Sequence, residues 1–388
     1  MKYILPKGFL AGATHCGIKR FKKDLVLIYS KSDSRAAALF TKNKVKAAPV
    51  LVSKGILKKS EPIRAIVVNS GNANCCTGWH GVRDAKKMVK AVAENLNLKF
   101  NNVLVSSTGI IGKRLPVDLI ENAIPKLVKG LSVNGLKNAA MGILTTDKMR
   151  KICIEKFVIE KKDITISGIT KGAGMVHPNM ATMLCFIMTD ANIDKDALKH
   201  ALREANEESF NSITVDGDMS TNDTVVLMAN GMANNTTIKK GTKEYKLFLK
   251  ALKSVMWKLA KKIVEDGEGA TKFVTVTVKN AKNTVDAEKI ARSIAMSSLV
   301  KTSVHGENPN WGRVASSVGA SGASLVKPNK FEIYLDKVCV FKEGHFTHPS
   351  KERLHKVYKR KNVDIMVNLN IGKKHAKIWT CDLSKRYV

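Results

Sequence analysis

Lys171–Thr182 reads KGAGMVHPNMAT. Gly172 and Gly174 can take backbone conformations closed to other residues, and Pro178 and Asn179 are turn formers. A threonine then sits within Met180–Met188, the longest apolar run in the chain, about half the roughly 20 residues that a membrane-spanning helix needs. The run reads as a buried strand or the start of a buried helix. A β-branched hydroxyl at such a junction of loop and core is well placed to attack the carbonyl preceding it. The same letters also describe a turn followed by a buried strand.

On either side, β-branched apolar runs predict strands at Asp24–Tyr29, Ile63–Asn69, Asn102–Ser107, Ile164–Ile169, Thr224–Ala229, Phe273–Val278, Phe331–Val340 and Val363–Asn370. Helical periodicity predicts helices over Arg83–Asn95, Pro116–Lys129, Asp194–Phe210 and Val285–Val300. A further stripe of Phe248, Leu252, Val255, Leu259 and Ile263 stops before Gly267. Strands and helices mix without strict alternation, which predicts an α+β fold, a layered sandwich of mixed sheets and helices. There is no internal repeat and no low-complexity linker, so any internal boundary is compact.

The chain has 388 residues, 44% of them hydrophobic, ample for a buried core. Its formal charge of +33 would by itself suggest a nucleic-acid partner. The surplus is spread in pairs such as Lys22-Lys23, Lys58-Lys59 and Lys239-Lys240, without the clustering of a binding face, so no specific nucleic acid is expected. Seven cysteines, at 16, 75, 76, 153, 185, 339 and 381, lack zinc-site spacing and are expected to be reduced thiols; His15 and His305 have no metal-like partners either. Pro6 and Gly8 interrupt the start where a signal peptide would be apolar, so a cytoplasmic location and no membrane are expected.

Three more glycine-rich polar stretches stand out: NSGNANCCTG (69–78), SSTGIIG (106–112) and TVDGDMSTNDT (214–224), each able to build an anion hole or a tight turn. KGAGMVHPNMATML closely resembles the self-cleavage segment of the glutamate and ornithine N-acetyltransferase (ArgJ-type) family of arginine biosynthesis. NSGNANCCTG, VSSTGIIG, ILTTD, SFNSITVDGDMSTND, EDGEGATK, NPNWGR and WTCDLS follow that family's blocks in order, so the resemblance runs from Gly8 to Ser384.

The resemblance implies that the Thr182 hydroxyl attacks the Ala181 carbonyl, dividing the chain into 1–181 and 182–388, two interwoven chains of one catalytic unit. The freed amine of Thr182, with a reference pKa near 7.7–8.0, would serve as its general base. The acetyl group of N-acetylornithine would pass through an ester on Thr182 to glutamate, with no cofactor required and acetyl-CoA as a further candidate co-substrate. The matching oxyanion positions are Thr108 and Gly109, where losing one donor costs about 100- to 1,000-fold in rate. Thr145, Lys171, Thr182 and Glu268 match the substrate site, Lys171 suited to a carboxylate and Glu268 to the ornithine ammonium. Two such chain pairs would form a heterotetramer. His177, five residues before the nucleophile, is expected to shape its loop, and Asp216 and Asp218 to form a polar turn.

Family members continue beyond WTCDL into a tail that adds an asparagine and a terminal hydroxyl residue to the substrate site, whereas this sequence stops at Val388. One alternative expectation is therefore a family member impaired by its short C-terminus. Others are a threonine-nucleophile amidase or aminopeptidase handing the acyl group to water, and a basic protein whose charge serves nucleic-acid binding.

Overall fold

The computed structural model describes residues 4–177 and 183–387. The chain folds as two compact units: 1–175, 179–211 and 218–263 form the first, and 176–178, 212–217 and 264–388 the second.

The first unit is built on one sheet with the strands β1 (Phe9–Thr14), β2 (Leu25–Phe40), β3 (Ile63–Asn72), β4 (Val103–Ile110), β5 (Lys151–Ile159), β6 (Lys162–Lys171), β7 (Leu184–Thr189) and β8 (Thr224–Ala229). Their order is β4-β3-β2-β8-β7-β6-β5, with β1 also on β2. The long strand β2 joins the two halves of this sheet: Leu25–Tyr29 pair with β1 and β3, and Arg35–Phe40 pair with β8. Two neighbouring pairs are parallel, β3 with β4 and β7 with β8. Each needs a crossover, supplied by α2 (Gly78–Asn95) and α5 (Lys195–Glu207).

Strand alternation sends successive side chains to opposite faces. Leu184, Phe186 and Met188 join the core closed by α1 (Ala48–Lys58), α2, α3 (Val117–Lys129) and α4 (Leu136–Gly142). Ile187 points the other way, beside Gly168, where any Cβ would lie 2.8 Å from Leu259 of α6 (Lys243–Glu265). The expected stripe on α6 is fully buried from Phe248 to Ile263. Burying each such side chain stabilises the fold by about 1.5–3 kcal/mol.

The second unit carries the sheet β12-β11-β10-β13-β9-β14, made of β9 (Phe273–Ala281), β10 (Glu332–Leu335), β11 (Val338–Lys342), β12 (His345–Phe346), β13 (Asn362–Asn368) and β14 (Lys374–Cys381). Its helices are α7 (Thr284–Met296), α8 (Ser298–His305), α9 (Trp311–Gly319) and α10 (Lys351–Tyr358). Two expectations are corrected here. Phe331–Val340 is not one strand but the hairpin β10-β11, because Asp336, at φ +52°, turns the chain back. Val285–Val300 breaks at Ser297, whose extended backbone ends α7 and whose side chain accepts from Val300 N to cap α8. The expected mixed-sheet α+β layering holds in both units.

Candidate active site

Parallel strands β3 and β4 end together, with Ser70 beside Thr108 and Gly71 beside Gly109. Gly109 has φ +135°, and a Cβ there would sit 2.2 Å from the Gly71 carbonyl carbon and 2.4 Å from Asn72 N. Only glycine fits so close an approach of two backbones. The two loops beyond the strands are fastened to each other. Ala73 N donates to Ile110 O at 2.9 Å, Gly112 N to Cys75 O at 3.0 Å, and Asn72 Nδ2 to the Lys113 and Arg114 carbonyls. Asn222 joins a third polar stretch to them, its Nδ2 donating to Ala73 O at 2.7 Å and Ser107 O at 2.8 Å.

Lys171 ends β6, opposite Leu184 on antiparallel β7, so the signature stretch is an excursion between two neighbouring strands. Its ammonium is buried and donates to Thr108 Oγ1 at 3.2 Å. At the other end of the excursion, Met183 is held on both sides: its N–H donates to Asp223 Oδ1 at 3.0 Å, and its carbonyl accepts from Thr224 N at 3.1 Å. Asp223 is completely buried, and loss of solvent raises its carboxyl well above the usual range. Ala181 and Thr182, the expected cleavage residues, lie outside the described residues.

Asp147, which sequence reasoning did not single out, connects the expected site residues. Its Oδ1 accepts from Lys151 Nζ at 2.7 Å and Gly172 N at 2.8 Å, and its Oδ2 from Thr145 N at 3.1 Å. Burial alone would raise this carboxyl, but the Lys171 and Lys151 ammoniums and these hydrogen bonds outweigh it and hold the pKa at about 2. A second unforeseen residue is Lys19, which donates to Leu144 O at 2.6 Å. Burial, with the nearby Lys171 charge, lowers its pKa to about 8 although Asp24 and Asp147 oppose the shift. The Lys19 and Lys171 ammoniums thus act on each other and on Asp147, with Lys151 bonded to the same carboxylate. A buried ammonium such as that of Lys171 suits a ligand carboxylate. The available signal was Asp147 inside ILTTD; Lys19 reads as one more surface lysine because its burial depends on residues more than a hundred positions away.

Glu268 belongs to the second unit, in the turn between α6 and β9. It is half-buried, and its carboxylate forms no hydrogen bond or ion pair with another described residue. Gly269 beside it has φ +69°, and its carbonyl accepts from Ser384 Oγ at 2.6 Å, so the C-terminal segment backs this turn. In the same unit Asp216 accepts from Val176 N at 2.9 Å and Tyr387 Oη at 3.2 Å, a turn-holding role as expected. His305 Nδ1 lies 2.8 Å from Asp382 Oδ2. Among the described residues no group of three or more His, Cys, Asp or Glu could hold a metal ion, and no helix is long and apolar enough to cross a membrane.

The structure thus ties Lys171 to Thr108, beside Gly109, while Asp147 ties Thr145 N to Gly172 N next to Lys171. Comparison with known proteins agrees with the resemblance. The model of the ArgJ family matches residues 10–388. The arginine biosynthesis bifunctional protein ArgJ of Caldanaerobacter subterraneus subsp. tengcongensis is 48% identical over 391 residues, covering 100% of this chain and 96% of the relative. That of Thermotoga neapolitana is 45% identical, covering 99% and 98%. The crystal structure of arginine biosynthesis bifunctional protein ArgJ from Bacillus halodurans is 43% identical, with a TM-score of 0.51, over 52% of this chain and 95% of that one. On the full-length match and the ordered blocks together, the chain belongs to the ArgJ family.

Proposed function

We propose that this protein moves an acetyl group from N-acetylornithine to glutamate through an acetyl ester on Thr182, having first cut itself between Ala181 and Thr182. The observation that carries this reading is the 3.2 Å bond from the buried Lys171 ammonium to Thr108 Oγ1, beside the Gly71–Gly109 contact. A cation able to take a substrate carboxylate then adjoins a hydroxyl and a backbone N–H able to take a developing oxyanion. Arginine-biosynthesis relatives of the same family support the substrate assignment.

In this reading the Thr182 hydroxyl attacks the Ala181 carbonyl, an N-to-O shift gives an ester, and water releases chains 1–181 and 182–388. The new α-amine takes the hydroxyl proton as Thr182 attacks the acetyl carbonyl, and Thr108 and Gly109 N–H stabilise the tetrahedral oxygen. Ornithine leaves, and the glutamate amine takes the acetyl group. Lys171 and Thr145 hold the common amino-acid end, Asp147 fixes both, and Glu268 receives the ornithine ammonium. The exchange balances without redox chemistry or a metal. Acetyl-CoA as a second donor, a heterotetramer of two chain pairs and a cytoplasmic location belong to the same proposal.

Two measurements test it. Intact-mass spectrometry should give two fragments split at Ala181–Thr182, and a single chain for Thr182→Ala. Incubation with N-acetylornithine and glutamate should give ornithine and N-acetylglutamate. Release of acetate independent of glutamate would replace the transferase with an amidase, and a correctly cleaved protein without either product would refute both.

A further inference from the structure

The stretch 69–78 contains two adjacent cysteines that the proposed transfer does not use. Cys75 is buried against Ala47 and Ala73, Cys76 is exposed, and their Sγ atoms are 3.7 Å apart. Extended backbone would send neighbouring side chains to opposite sides. Cys76 instead has φ +57°, a left-handed conformation that non-glycine residues seldom take, and the two thiols meet. An atom bonded to both sulfurs at about 2.3 Å, the length of a zinc–thiolate bond, would subtend about 107° across that separation, so a single atom can bridge them. The pair is therefore set for chelation without a change in sulfur spacing.

The number of ligands selects the guest. No third His, Cys, Asp or Glu joins the two thiols among the described residues. A structural zinc ion takes four protein ligands, whereas a trivalent organoarsenical has two valences open to sulfur and carries its third substituent itself.

We propose that Cys75 and Cys76 form a dithiol clamp for trivalent arsenicals. With an arsenoxide R–As=O, the two S–H bonds break and two As–S bonds form. The arsenic-bound oxygen leaves as water with both protons, and no electrons are transferred. The clamp is coupled to the Gly109 turn, because Cys75 O accepts from Gly112 N and Ala73 N donates to Ile110 O. Ring closure at Cys75–Cys76 restrains that loop and, on the function proposed above, slows acetyl transfer.

The test is intact-mass spectrometry of the full chain with one equivalent of phenylarsine oxide in excess 2-mercaptoethanol. Wild type should hold one adduct, mapped to the peptide containing Cys75 and Cys76, that 2,3-dimercaptopropanol removes. Cys75→Ala and Cys76→Ala should each lose it, because a tethered second thiol strengthens capture by about 10²–10⁴-fold. Cys75→Ser serves in place of Cys75→Ala if thermal melting shows misfolding. An adduct that survives in either variant, or that the monothiol strips from wild type, overturns the clamp. Capture with undiminished transfer overturns its coupling to the turn. The mass result stands whether or not the protein proves to be an acetyltransferase, so failure of the clamp and failure of the functional reading are separable.

Discussion

Replacing Asp147 by asparagine removes the charge that faces Lys151 and Lys171 while keeping the size of the side chain. One amide oxygen can still accept from Lys151 Nζ and Gly172 N, but the amide nitrogen then faces the Thr145 N–H, two donors with no acceptor between them. The displacement of the Asp147 pKa from 3.8 to about 2 corresponds to about 2 kcal/mol at roughly 1.4 kcal/mol per unit. The wholly buried Lys151 ammonium also loses its charged partner while keeping neutral acceptors such as Met149 O, which takes the cost toward the roughly 3–5 kcal/mol typical of a broken buried pair. At about 2–4 °C per kcal/mol for a unit of this size, the melting temperature should fall by roughly 6–20 °C at pH 7. The sign with pH follows from a folded pKa below the unfolded one. The contribution is complete above about pH 4 and is lost as pH falls toward 2, so the two melting curves should converge there. Circular dichroism melts at pH 7 and at about pH 2.5 read both effects. Adding Lys151→Met to Asp147→Asn should recover part of the loss by removing the buried ammonium that has lost its carboxylate. Equal melting temperatures at pH 7, or a gap that persists unchanged in acid, would refute the argument.

Gly109→Ala forces a Cβ to within 2.2 Å of Gly71 backbone and should reduce kcat by about 100- to 1,000-fold through a displaced oxyanion donor, with near-normal turnover arguing against that role. Glu268→Gln should raise KM for N-acetylornithine by roughly tenfold or more, from a lost charge-assisted bond, and leave KM for glutamate unchanged; equal effects on both substrates would remove Glu268 from the ornithine ammonium. Because Lys19 titrates at about 8, KM for glutamate should rise from pH 7 to 9 as its charge disappears, and Lys19→Gln should flatten that rise. The same lowered pKa means the unfolded chain binds more protons above pH 8, so stability gains from Lys19 toward pH 10.5, a gain the Gln variant should lack in urea titrations.

Much of the fold was readable because its signals are local. The α6 stripe, the β-branched runs of β3, β6, β8 and β9, and the Gly-rich loops each depend on spacing alone. The sequence by itself also determined the family blocks, and with them Thr108, Gly109, Thr145 and Lys171 as site candidates. Some elements were not readable: β1 is too small-residued and β14 too polar to announce themselves, and the β10-β11 turn rests on Asp336 accepting a left-handed backbone. Strand order was equally hidden. The splitting of β2 between two sets of neighbours depends on pairing partners far away in the chain, and loop closure leaves no periodic trace. Only the tertiary structure decided that Asp147 is the hub of the candidate site and that Lys19, among so many surface lysines, is a half-buried cation near Lys171. A side chain's charge state and role depend on its solvent access and on which charges stand within a few ångströms, and these exist only once distant segments have packed together.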